Sequence, residues 1–160
     1  VVPMQAKQYL KELKRLDTCI RHKIQEKDTL YNPLRAANTD GMKIQASHDG
    51  DSMTDLLIKI EAIEAKINGK IDEFVDLKNK IIDQIHGLSN ETFVDLLHRR
   101  YVEFKRLEEI AVDMNYTYQY VRELHGHALQ EFDRQFSAEI AAYEEAQIAR
   151  LEKDPTQSNN

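Results

Sequence analysis

Six apolar residues, Met53, Ile60, Ile67, Phe74, Ile81 and Leu88, fall seven apart without a fault. A seven-residue apolar repeat sets all its members on one face of an α-helix, which must be covered by another helix. Leu57, Ile71 and Ile85 fill companion positions, and Glu64 and Lys78 interrupt them. The row predicts a helix from a Ser52 or Thr54 cap to about His86. Upstream, Ala6, Leu10, Leu13, Ile20, Ile24, Tyr31 and Leu34 recur at helical steps from Met4 to about Leu34. Asn32-Pro33 is expected to end or kink that helix, since proline disfavours helical geometry in the residue before it. Two such helices form either an antiparallel hairpin within the chain or a coiled coil between two copies, and the pattern leaves both open. Gly69, inside the second helix, costs about 1 kcal/mol relative to alanine.

Between the helices, Arg35 to Ser52 reads as a break. It is rich in turn formers: Asn38, Asp40-Gly41, Ser47 and Asp49-Gly50-Asp51. Met42-Lys43-Ile44 reads as a short extended piece. Asp49-Gly50-Asp51 lacks the further ligand spacing of a calcium loop, so a solvated loop is expected. With no Trp, 5 Gly and 3 Pro in 160 residues, the composition favours long helices, and an all-α fold is expected.

A second region begins at Gly87-Leu88-Ser89-Asn90. Gly87 suits a helix stop, and Ser89 or Asn90 suits the cap of the next helix. Phe93, Val94, Leu97 and Tyr101 form the apolar stripe of a supporting helix, and Val102 to Lys105 a connection. Leu107 to Gly126 then carries a denser pattern. Ile110, Ala111 and Met114 give one apolar face, and Val121 with Leu124 gives the edge that meets it. Ala111 supplies the small residue that two crossing helices need. Asn115 supplies a residue tolerant of positive φ for the turn. Tyr116 is expected to point back into the core, and Thr117 to cap the following helix. The pattern is that of a helix-turn-helix, in which the first turns of the second helix meet base edges. Tyr118, Gln119, Arg122 and Glu123 hold the base-reading positions: glutamine pairs with adenine, arginine with guanine, and glutamate accepts from cytosine. Thr117, Tyr120, Arg99, Arg100, Lys105 and Arg106 are the expected phosphate contacts. Leu129, Phe132, Phe136, Ile140 and Tyr143 continue a stripe towards Leu151, a surface for packing on the first helices or on another subunit.

Leu107-Glu108-Glu109-Ile110-Ala111 followed by Val121-Arg122-Glu123-Leu124-His125-Gly126-His127-Ala128-Leu129 resembles region 4 of sigma-70-type sigma factors. Leu96-Leu97-His98-Arg99-Arg100-Tyr101 resembles the supporting helix of that domain, and the likeness runs from Asn90 to Arg134. The whole chain is similar in arrangement to small sigma-factor-like regulators of phages and prophages of Gram-positive bacteria, the ArpU-like family. The resemblance implies a phage or prophage transcriptional regulator that reads a promoter element in double-stranded DNA together with host RNA polymerase. It departs from the family where extra basic residues are usual, since His125, His127, Glu131 and Asp133 occupy that stretch.

The net charge of −6 argues against non-specific coating of DNA. Between Asn90 and His127 the carboxylates slightly outnumber the cations, so weak autonomous DNA binding is expected, with polymerase or a second copy adding affinity. A lone Cys19 excludes an internal disulfide and fits a reducing cytoplasm. No secretory signal or membrane-spanning run is read. His125 and His127 sit two apart, and His22, His86 and His98 are isolated in sequence, so no metal site, cofactor or enzyme is expected. The domains expected are a helical hairpin over 4–88, a DNA-binding domain over 89–153 and a disordered tail over 154–160. Two rival functions remain: a small terminase-like DNA-packaging protein, and a helical protein-interaction module that binds no DNA.

Overall fold

The computed structural model describes residues 2–39 and 50–153. All regular structure among them is helical: α1 (Ala6–Thr39), α2 (Gly50–His86), α3 (Glu91–Leu97), a π-helical segment (His98–Val102), α4 (Leu107–Met114) and α5 (Tyr118–Lys153). Met42-Lys43-Ile44 and the tail 154–160 lie outside the described residues. No helix among the described residues is long and apolar enough to cross a membrane.

Two expectations about helix ends are corrected. α1 does not end at Asn32-Pro33 but continues to Thr39. Proline removes one backbone hydrogen bond and crowds the carbonyl four residues before it, which weakens a helix without necessarily ending it. α2 begins at Gly50, so Ser52 and Thr54 lie inside the helix and do not cap it. Glycine, aspartate and serine start helices as readily as they form loops, and the sequence pattern does not separate the two. α5 is not one straight rod: Phe136 departs from helical geometry at φ −117° and ψ 19°.

The contacts gather the described residues into two compact units, 1–14 with 77–160 and 15–76. In the unit 15–76, the buried apolar residues are Leu16, Ile60, Ile63 and Ile67, and Lys27 Nζ lies 3.6 Å from Glu64 Oε1. Along α2 the seven-residue row is buried at Ile60, Ile67, Ile81 and Leu88 but exposed at Met53. Its companions are the residues three further on, Ile63, Leu77 and Gln84, whereas Leu57 and Ile71 are exposed. Ile85 alone of the expected companions is fully buried. Gly69 has open space where a side chain would be, so no close helix approach requires it.

In the unit 1–14 with 77–160, the core is aromatic. Tyr9 and Phe132 have no accessible surface, and Tyr9 meets Tyr143 edge-on with ring centroids 5.2 Å apart. The Tyr9 hydroxyl donates to Gln84 Oε1 at 2.9 Å, and burial pushes its pKa up to about 12. Asp133 Oδ1 accepts from the Ala6 N–H at 2.7 Å and Glu144 Oε2 from the Met4 N–H at 3.0 Å. These carboxylates satisfy amides at the start of α1 that have no partner within the helix. The α5 extension thus packs on the first turns of α1. Phe136 packs at a tilt against Phe132, ring centroids 4.8 Å apart, beside Gly87, where an added Cβ would come within 3.4 Å of the Phe136 ring. Gln135 Nε2 donates to the Gly87 carbonyl at 3.0 Å, so α5 bends where it meets the end of α2.

Candidate nucleic-acid interface

α3 starts on Asn90, whose Oδ1 accepts from the amides of Thr92 at 2.9 Å and Phe93 at 3.3 Å. Its last turn widens into the π-helical segment, marked by the Glu103 N–H donating to His98 O at 3.1 Å. The chain then turns through Phe104, held at φ 60°. α4 follows, and the Glu109 carboxylate reaches back to accept from the Arg106 N–H at 2.8 Å.

The turn from α4 to α5 follows from three residues. Asn115 takes the left-handed conformation at φ 58° and ψ 38°, where asparagine is tolerated best among residues with side chains. The Tyr116 N–H donates to Ala111 O at 2.9 Å and closes the end of α4. Thr117 Oγ1 accepts from the Tyr120 N–H at 3.2 Å and caps α5. Beneath the turn, Leu96, Ile110, Ala111 and Val121 form one buried cluster, with Leu107, Met114 and Leu124 packed against it. Ala111, 5% exposed, is the small residue at this packing point.

Tyr116 does not enter this core, contrary to expectation. It is 40% exposed and stacks edge-on against Tyr120, with centroids 5.0 Å apart. With Asn115 left-handed, the chain leaves α4 outward, and the cluster is completed by Leu96 of α3 instead. Leu96, outside the expected supporting stripe, is fully buried, as is Leu97 within it.

The residues expected to read bases share one exposed surface. Tyr118, Gln119, Arg122 and Glu123 are all exposed, and the Arg122 guanidinium lies over the Tyr118 ring, 5.7 Å from its centroid. Tyr120 is exposed beside them. The Thr117 hydroxyl caps through its oxygen and keeps its hydrogen to donate to an anion.

The expected phosphate-binding cations divide in two. Arg99 pairs with Asp95 at 2.8 Å and Asp113 at 3.3 Å, and its pKa is raised first by the hydrogen bond it donates to Asp95. Lys105 pairs with Asp113 at 2.7 Å and Glu103 at 3.3 Å. Their mutual hydrogen bond raises the Lys105 pKa and lowers that of Asp113. Arg106 sits 3.5 Å from Glu109. Arg100 instead turns away, donating to the Lys105 carbonyl at 2.9 Å, and lines a cavity of about 310 Å³ with Lys11, Lys14, Tyr101 and Phe104. Tyr101 Oη lies 2.8 Å from His125 Nε2, and the rings stack at 5.7 Å. Burial foremost, and then the charges of Arg100, Lys7 and Lys11, push the His125 pKa down to about 4.

His86 and His98, isolated in sequence, come together edge-on at 5.9 Å, with His98 Nδ1 3.4 Å from Glu103. Among the described residues no group of three or more His, Cys, Asp or Glu could hold a metal ion. The sequence reading missed Lys7, Lys11 and Lys14; their i, i+4, i+7 spacing was the signal available. No family model matches the chain, and no curated protein or solved structure matches it.

Proposed function

We propose that α4, the turn and α5 form a helix-turn-helix that reads duplex DNA, and that the protein is a phage or prophage transcriptional regulator acting with host RNA polymerase. The observation that carries the reading is the turn itself. Left-handed Asn115, the Thr117 cap and the Ala111–Val121 packing leave the first two turns of α5 turned outward with Tyr118, Gln119, Arg122 and Glu123 exposed. A helix presented so fits the major groove, with these side chains at its base-contacting positions. The antiparallel pairing of α1 with α2 is the scaffold of this reading. Exposed Met53, Leu57, Ile71 and Val75 on α2 support self-association through the same helices.

A second reading, a protein-interaction face, draws on Val112, 78% exposed, next to the exposed ring pair of Tyr116 and Tyr120. It also draws on the carboxylates that hold Arg99, Lys105 and Arg106.

Selection of bound sequences from a random duplex pool, with and without RNA polymerase, separates the two. The regulator reading expects a defined motif that relaxes at single positions in Arg122→Ala and Gln119→Ala, each losing about 1–3 kcal/mol of discrimination. No enrichment in either condition sinks it and leaves the protein-interaction reading.

A further inference from the structure

Lys7, Lys11 and Lys14 recur at i, i+4 and i+7 along α1, beside its buried row of Ala6, Leu10 and Leu13. Such spacing sets three cations along one helix face. All three are exposed, and Arg100 is half-buried. Among the described residues, none of the four lies within 4.0 Å ion-pair distance of a carboxylate. This contrasts with Arg99, Lys105 and Arg106, each held by at least one.

Lys11, Lys14 and Arg100 share one cavity, and Arg100, Lys7 and Lys11 all act on His125 of α5. Lys11, Lys14 and Arg100 line the cavity over Tyr101 and Phe104, which no carboxylate lines. Lys14 Nζ rests 4.6 Å from the centre of the Phe104 ring, and the Lys105 carbonyl fixes the Arg100 guanidinium. Tyr101 is tied to His125 in the second turn of α5. The fields of Arg100, Lys7 and Lys11 all bear on that imidazole.

We propose that Lys7, Lys11, Lys14 and Arg100 form a platform for the phosphodiester backbone of duplex DNA, flanking the exposed face of α5. The proposal rests on the reading of α5 as the groove-reading helix. Its physical ground is counterion release: each cation that neutralises a phosphate frees a condensed counterion, and this dominates affinity for a duplex. A cation held by a carboxylate must first give up that partner, and an unpaired one need not. In a chain of net charge −6, the unpaired set is the one suited to this work.

The test uses the full chain and a fluorescent duplex of the selected sequence, with affinity followed across salt concentration. Lys7→Gln/Lys11→Gln/Lys14→Gln is expected to flatten the plot of log affinity against log salt by about three and to weaken all sequences by the same factor. Lys59→Gln/Lys66→Gln on α2, which removes two charges outside the platform, is compared per charge removed and is expected to leave the slope unchanged. All five lysines are exposed, and a circular dichroism melt verifies that each variant folds. Arg100→Lys, which keeps the charge, is expected to retain the slope. Equal slopes in wild type and triple variant, or equal flattening per charge removed in triple variant and control, overturn the platform while the groove reading stands. No duplex binding by the wild type overturns the groove reading and the platform together.

Discussion

In the unit 1–14 with 77–160, Tyr9, Leu96, Val121 and Phe132 are among many residues with no accessible surface. In the unit 15–76, the most buried apolar residues, Leu16 and Ile60, each keep 3%, while Ile24, Met53, Leu57, Ile58, Ile71 and Val75 stand exposed. Both units rest on amphipathic helices. The first wraps its apolar faces with short helices and a bent α5, and anchors its ends with side-chain caps. The second has α1 and α2 alone, and two helices cover one seam but leave the flanks of that seam in water. A heptad row therefore fixes which residues are apolar and helical without fixing how deeply they are buried. Closure comes from additional elements at other angles.

Phe132 and Ile60 give the sharpest test of this difference. Phe132→Ala, in the closed core between Tyr9 and Phe136, is expected to cost about 3–5 kcal/mol by chemical denaturation. Ile60→Ala, in the open seam, is expected at the low end of about 2–5 kcal/mol, because surrounding side chains and water relax into the space. An equal loss at both sites breaks the contrast and means that the seam of 15–76 is closed in solution by something further.

The closed unit also carries a built-in sensitivity to acid. His125 titrates at about 4 when folded, below the ordinary 6.5 expected of the unfolded chain. Above that higher value both states are neutral and pH has no leverage. As pH falls from about 6.5 to about 4 the unfolded chain takes up a proton that the folded chain refuses, so stability drops. Below the folded value both states are protonated and the loss is complete. After allowance for solvent screening of a partly accessible ring, the loss is on the order of 1–2 kcal/mol. His125→Gln is expected to remove this component from the pH dependence of denaturation. An unchanged pH profile in the variant places the acid sensitivity elsewhere.

The turn of the closed unit depends on one hydroxyl. Thr117→Ala leaves the Tyr120 amide without its capping acceptor and is expected to cost about 1 kcal/mol. Thr117→Ser keeps the oxygen and is expected to recover most of that loss. Failure of serine to recover it shows that the methyl group, and not the cap, matters at this position.

How much of this was legible beforehand depended on whether the signal was local. The cap of α3 at one of the two residues expected for it, the Thr117 cap, left-handed Asn115, and the Ile110–Ala111–Val121 cluster are set by residues close in sequence, where pattern alone reaches them. The exposed positions of Tyr118, Gln119, Arg122 and Glu123 followed from helical register alone. What escaped was tertiary. Nothing near Tyr116 says that it stays outside the core while Leu96 enters it, and nothing near Phe136 says that α5 departs from helical geometry there, beside Gly87. The choice of Ile63 and Leu77 over Leu57 and Ile71 as seam companions depends on which side the covering helix lies. The ion pairs of Arg99 and Lys105 with Asp113 span 14 and 8 residues, so a count of local charge showed the balance but not the pairing.

The smallest expected effect carries the comparison furthest. Leu57, 52% exposed, and Ile71, 39% exposed, lie off the buried seam of α2. If each copy stands alone, Leu57→Gln/Ile71→Gln removes only apolar surface that already faces water, and its cost stays within about 0.5 kcal/mol per site. If two copies pair along this flank, folding is coupled to association by mass action, and the midpoint of wild-type unfolding rises with protein concentration. The double substitution then abolishes that concentration dependence and destabilises most at high concentration. Sedimentation and denaturation at two protein concentrations therefore decide the matter. A concentration-independent midpoint leaves the seam of 15–76 open in the working protein, and a dependence that glutamine erases identifies α2's exposed row as the surface through which copies meet.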